Sequence, residues 1–135
     1  VVEMFINYVM VNGKKEMARN FVYGALETAA KNLKKDELDV LNQALSNVMP
    51  VLEVRSRRVG GANYQVPVPV PEDRQVSLAL RWIIKIAKSK KGKDFEFFLS
   101  EELINAYKGE GEAVKKKEDT EKMAEANKAF AHFRW

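Results

Sequence analysis

The sequence predicts a mainly α fold: a single-domain bundle of about six helices with a two-stranded β-hairpin arm projecting between the third and fourth helices. Two periodicities carry this expectation. Apolar residues recur every three or four positions through most of the chain, the spacing that lines one face of a helix, and between Leu52 and Val70 the spacing changes to two, the mark of a strand. A third observation sets the domain count. A length of 135 residues with 46% hydrophobic content suffices for one compact core, and no internal repeat or flexible linker divides 1–135.

Met4, Phe5, Tyr8 and Val9 predict a short first helix that Asn12-Gly13 ends, glycine being the usual left-handed stop. From about Lys15 to Leu33, the residues Ala18, Phe21, Val22, Ala25, Leu26, Ala29 and Leu33 form the apolar stripe of an amphipathic second helix. Asp36 is an N-cap for a third, which turns Leu38, Leu41, Leu45 and Val48 inward and stops before Pro50.

Leu52 and Val54 on one side of Gly60-Gly61, and Tyr64, Val66, Val68 and Val70 on the other, then alternate as the arms of a hairpin over about 52–70. Proline cannot donate to a strand ladder, but Pro67, Pro69 and Pro71 are two apart, so their missing N–H groups fall together on the unpaired edge. The inner ladder survives, and the outer edge cannot recruit a third strand. An isolated ribbon is expected, marginal in water and completed by a partner. Gly60 and Gly61 permit positive φ in the turn and leave room for a ligand to approach the backbone.

Glu72 and Asp73 place acids at the favoured end of a fourth helix. Val76, Leu80, Ile83, Ile84 and Ala87 form its inner face, with Trp82 expected in core or edge packing; Arg74, Arg81, Lys85 and Lys88 fall along another face, and the basic stripe runs on through Lys90, Lys91 and Lys93. A fifth helix after Asp94 buries Phe98, Leu99, Leu103 and Ala106 and ends at Gly109; a sixth runs from about Glu112 through Ala131.

The net charge of +4 is modest, but its distribution is uneven. Arg55 to Lys93 holds ten Lys or Arg against two acids, a net of +8, whereas Asp94 to Glu125 holds five against ten, a net of −5. A basic ribbon adjoining a basic helix makes one positive surface of the kind that meets phosphate. With no cysteine, disulfides and thiolate metal sites are excluded; no apolar run approaches a membrane span, and an intracellular, soluble protein is expected.

The residues for catalysis are sparse. Acyl-transfer chemistry needs a base that titrates near neutrality, and the sole histidine, His132, lies among Phe130, Phe133, Arg134 and Trp135, where packing or hydrogen bonding is the simpler role. Glu101-Glu102 and Glu118-Asp119 are adjacent and read as solvated surface, and Gly109-Glu110-Gly111-Glu112 lacks the lysine of a phosphate loop. No enzyme, metal or cofactor is expected.

Four stretches together resemble one known family: FINYVMVNGKK at Phe5–Lys15, EVRSRRVGGANYQVPVPV at Glu53–Val70, LRWII at Leu80–Ile84 and MAEANKAFAHFRW at Met123–Trp135 are similar to bacterial small-subunit ribosomal protein 7. The resemblance implies a helical bundle with a projecting β-ribbon that binds the 3′ major domain of 16S ribosomal RNA and nucleates assembly of the subunit head. It further implies a place in the cytoplasm within the ribosome, a ribbon near the exit-site transfer RNA, neighbouring small-subunit ribosomal proteins as partners, and repression of its own messenger RNA. A basic tail ahead of the first stretch is also usual in the family.

The RNA-facing residues expected from the resemblance and the charge pattern are Lys14 and Lys15 in the first turn; Arg55, Arg57, Arg58, Gly60, Gly61, Asn63, Tyr64 and Gln65 in the ribbon; Arg74, Arg81, Lys88, Lys90, Lys91 and Lys93 along the fourth helix; and Arg134 and Trp135 at the end. Tyr64 serves equally as a stacking platform or a cross-strand contact. The acids around Glu96, Glu101 and Glu102 are opposite in sign to RNA and suggest a basic protein neighbour. Two other classes fit the charge pattern: a DNA-binding regulator using the fourth helix and β arm, and a peripheral membrane protein whose fourth helix would have to expose its apolar face.

Overall fold

The computed structural model describes residues 1–134, and Trp135 lies outside the described residues. Six α-helices and one 3₁₀ segment enclose a single core, with a two-stranded antiparallel ribbon between the third and fourth helices. Helix α1 spans Val2–Val9, α2 Lys15–Leu33, α3 Glu37–Val48, α4 Glu72–Ser89, α5 Phe95–Tyr107 and α6 Glu112–Ala126; the strands are β1 Leu52–Val59 and β2 Ala62–Pro69. Among the described residues, no helix is long and apolar enough to cross a membrane.

The core forms where the apolar stripes meet. Phe5, Val22, Leu26, Leu41, Leu80, Ile83, Leu99 and Leu103 are almost fully buried, drawn from α1 to α5. Helix α4 spends its apolar face here, since Ala79, Leu80, Ile83, Ile84 and Ala87 are all buried, so that face is closed to a lipid surface. Asp36 caps α3 as expected, its carboxylate accepting from the Leu38 N–H at 3.2 Å, and Asp94 caps α5 by accepting from the Phe97 N–H at 3.0 Å. Across the bundle, the Asn47 amide donates to the carbonyls of Ala106 and Tyr107, closing the last turn of α5.

Three expectations need correction. Leu38 does not point inward: it is 56% exposed, because helical geometry rotates the buried stripe onto Val40, Leu41, Ala44, Leu45 and Val48. The sixth helix stops at Ala126 rather than Ala131, and Lys128–Phe133 tightens into the 3₁₀ segment. The Asn127 side chain donates to the Met123 carbonyl at 2.8 Å, sharing that acceptor with its own backbone N–H at 3.2 Å. The ribbon, third, recruits no further strand, as expected, but it is supported within the chain, because this segment packs against β2 and α6 packs against β1.

The ribbon's register pairs Leu52 with Pro69, Val54 with Pro67 and Val59 with Ala62. Directly opposed residues share a face, so Leu52, Val54, Ser56 and Arg58 share one with Asn63, Gln65, Pro67 and Pro69. The other carries Glu53, Arg55, Arg57 and Val59 with Tyr64, Val66 and Val68. The two apolar runs thus lie on opposite faces. Gly60 and Gly61 have φ of 58° and 84°, as a two-residue turn with both central φ positive requires. Added Cβ atoms would meet nothing within 4 Å there, so the glycines answer to the backbone and not to crowding.

Candidate nucleic-acid interface

The tip of the ribbon is a polar projection. Ser56, Arg58, Asn63 and Gln65 are exposed on one face, and Arg55 is exposed on the other. Arg57 and Tyr64 are held instead. Tyr64 packs on Phe130 and Phe133 with ring centroids 5.2 and 4.6 Å apart, while the Arg57 guanidinium donates to the Phe133 carbonyl. Arg134 donates through Nε and Nη2 to the Pro67 carbonyl at 3.3 and 3.1 Å. The edge that the prolines leave without N–H donors therefore still offers an acceptor, and the C-terminal segment uses it. Neither reading of Tyr64 foresaw this contact, although the clustered Phe130 and Phe133 were its visible signal. His132 is a local packing residue, its ring 4.1 Å from Phe133 and its Nδ1 3.0 Å from the Ala129 carbonyl.

At the base of the ribbon, Arg74 grips Glu53 with two parallel bonds, Nε to Oε2 at 2.7 Å and Nη2 to Oε1 at 2.9 Å. The bidentate geometry ties β1 to the first turn of α4. Arg74 is thus chiefly a joint, with 39% of its side chain left exposed, and Glu53 is its buried counterpart. The Arg74 hydrogen bond holds the Glu53 carboxyl below its ordinary value against the opposing effect of burial, with the Arg74 and Arg55 charges assisting. A lowered carboxyl adds stability above the ordinary carboxylate range that is lost as pH falls through the lowered value. We expect Glu53→Gln to cost about 1–2 kcal/mol at pH 7 and to shrink the loss of stability below about pH 4, checked by urea unfolding at both pH values.

Along α4, Arg81, Lys85 and Lys88 are exposed on one face. The Arg81 guanidinium lies 4.9 Å from the centre of the Tyr8 ring, whose hydroxyl is 3.0 Å from Ser77 Oγ. A groove lined by Tyr8, Arg81, Lys85 and Lys88 meets a second at Lys88, and that one shares Val9, Val11 and Phe21 with a third that reaches Lys14. Lys14 and the α4 cations, far apart in sequence, thus border three adjoining grooves. Lys15 is drawn aside into an ion pair with Glu3. Lys91 is exposed, and the exposed Lys93 places its ammonium 4.7 Å from the Phe97 ring centre.

Lys90 and Glu102 require correction. Glu102 is not solvated surface but 1% exposed, and Lys90 turns inward to it at 2.9 Å, with Glu101 at 3.4 Å. A buried carboxylate needs a counter-charge, and Lys90, just past the end of α4, supplies it. The Glu102 hydrogen bond is the main cause that holds the Lys90 ammonium above its ordinary value. Lys90 therefore belongs to the α4–α5 joint. The acidic face loses Glu102, and half-buried Glu96 lies against α2, its carboxylate filling the space that a Cβ at Gly24 would need.

Comparison with known proteins gives this geometry a context. Residues 1–128 match the family described as ribosomal protein S7p/S5e. The chain is 57% identical over 135 residues to the small ribosomal subunit protein uS7 of Thermotoga maritima and 54% identical to that of Fervidobacterium nodosum, covering all of this chain and 87% of each relative. It is 58% identical over 136 aligned positions to the uS7 of Chlamydia trachomatis, with the same coverage.

Proposed function

Since this chain belongs to the ribosomal protein S7p/S5e family, and is thus a non-enzymatic structural component of the small ribosomal subunit in the cytoplasm, we propose that it binds the 3′ major domain of 16S ribosomal RNA directly. In this reading it nucleates folding of the subunit head, with neighbouring ribosomal proteins joining afterwards. The observation that carries the reading is the row of three adjoining grooves bordered by Lys14, Lys88 and Arg81, with the cation-bearing ribbon projecting from the same bundle. Lysine and arginine supply affinity by neutralising phosphates and releasing counterions, a contribution without sequence information. Specificity comes from shape, because a rigid body and a ribbon set at a fixed angle fit only RNA helices in one arrangement. Placement of the ribbon tip near the exit-site transfer RNA, and repression of the protein's own messenger RNA through the same surface, belong to this proposal.

The test is a salt titration of binding to a 3′ major domain fragment against an unrelated structured RNA of equal length. We expect a preference of about 10³-fold, the low end for site-specific nucleic-acid binders, with both affinities falling as salt rises. Equal affinity for the two RNAs overturns the reading.

A further inference from the structure

Next to the Tyr8 groove and sharing Lys85 with it, a cleft of about 420 Å³ opens between α4 and α6, with Trp82, Lys85, Lys115, Lys116, Glu112 and Asp119 on its walls. Trp82 is half-buried: it packs against the core and also lines the cleft. None of the five charged side chains is ion-paired among the described residues, whereas the adjacent Lys117 is engaged by Glu121 at 3.6 Å. The Lys116 ammonium sits 6.0 Å from the centre of the Trp82 ring, at the outer limit of a cation–π contact, so it is weakly held and easily displaced.

We propose that this cleft is a separate RNA subsite that takes one unstacked guanine against the Trp82 ring, with flanking phosphates on Lys85, Lys115 and Lys116. An aromatic face recognises any base by stacking, and lysines around it suit the chain that carries the base. The carboxylates narrow the choice. Among the bases, guanine presents N1–H and the N2 amino group side by side, two donors that one carboxylate of Glu112 or Asp119 accepts together, whereas the Watson–Crick edges of adenine and uracil each put an acceptor in that pair. The net positive cleft still admits the phosphates. This subsite rests on the RNA-binding reading above, and it places an anchor on the face of α4 that adjoins the Arg81 groove, with Lys85 between the two.

The experiment uses the full chain with Trp135→Phe, which leaves Trp82 as the only tryptophan of the original two. Binding of the 3′ major domain fragment is expected to quench Trp82 emission. Trp82→Leu is expected to weaken that binding about tenfold with an unchanged salt slope, and Trp82→Phe to recover most of the loss. Among short uridine oligonucleotides with one central substitution, guanosine is expected to quench most, and Glu112→Gln or Asp119→Asn to remove that preference. A fragment that binds tightly without moving Trp82 emission, and binds Trp82→Leu equally well, overturns the subsite and leaves the ribosomal RNA reading intact. Failure of the unsubstituted protein to prefer the fragment overturns both. Quenching that is equal for all four bases overturns the guanine assignment.

Discussion

Replacing Lys90 with methionine is expected to lower the unfolding free energy by about 3–5 kcal/mol, because it leaves a buried carboxylate without its counter-charge. Glu102 has no spare partner: its Oε2 is buried and unbonded among the described residues, so its compensation reaches it through Oε1 from Lys90. The second substitution, Glu102→Leu, should restore most of the loss, since a well-packed apolar pair often equals a buried ion pair. A lysine held above its ordinary value contributes stability that is complete below that value and is lost only as pH rises through the raised one. The methionine variant should therefore show its full deficit in urea at pH 7. A deficit under 1 kcal/mol would place the Lys90–Glu102 pair in water. RNA affinity of the double variant separates the two roles of Lys90: it should match the unsubstituted protein if the ammonium serves the joint alone, and fall if it also meets phosphate.

Alanine at Arg55, Arg57 and Arg58 together is expected to weaken binding of the 3′ major domain fragment by about 10²-fold and to flatten the slope of log affinity against log salt by about 2–3, roughly one for each phosphate contact removed. Arg57 also ties the C-terminal segment to the ribbon, so the triple variant mixes lost charge with a loosened clasp. The Arg55→Ala and Arg58→Ala pair isolates charge, both side chains being exposed, and should still flatten the slope by about 1–2. Unchanged slope in both variants would place the phosphates elsewhere. Circular dichroism should stay helical throughout, since all three arginines lie in β1 and none is a member of the buried core.

The helices and the ribbon were legible because each rests on a local period, three to four or two, that a single stretch of chain displays. Leu38 shows the limit of that reading: it fits the spacing of its helix, yet the buried stripe is centred on Val40 and Val48, and only the packing of α5 against α3 fixes the rotation. Cation exposure was the least legible property. Arg74, Lys15 and Lys90 look alike in sequence to Arg81 and Lys88, but each has found a carboxylate, at Glu53, Glu3 and Glu102. Such pairings depend on distances that close only when the elements dock. The lining of the α4–α6 cleft escaped for the same reason, because Trp82 and Lys116 are neighbours only across two helices.

The clasp on the ribbon also bears on the order in which the molecule comes into being. Chain synthesis delivers the N-terminal end first, so the ribbon and α1–α5 emerge before the last residues that secure the ribbon. Beyond the Arg74–Glu53 grip at its base, its fastenings are Glu121 to the Val51 N–H, Phe133 to Arg57, and Arg134 to Pro67, spanning 70, 76 and 67 positions. Contacts of such sequence separation form late and slowly. A nascent chain that has not yet reached residue 121 therefore already possesses most of the buried body but carries a ribbon held only at its base, by Arg74 on Glu53, and the ribbon is fully fastened only once residues 121–134 have emerged.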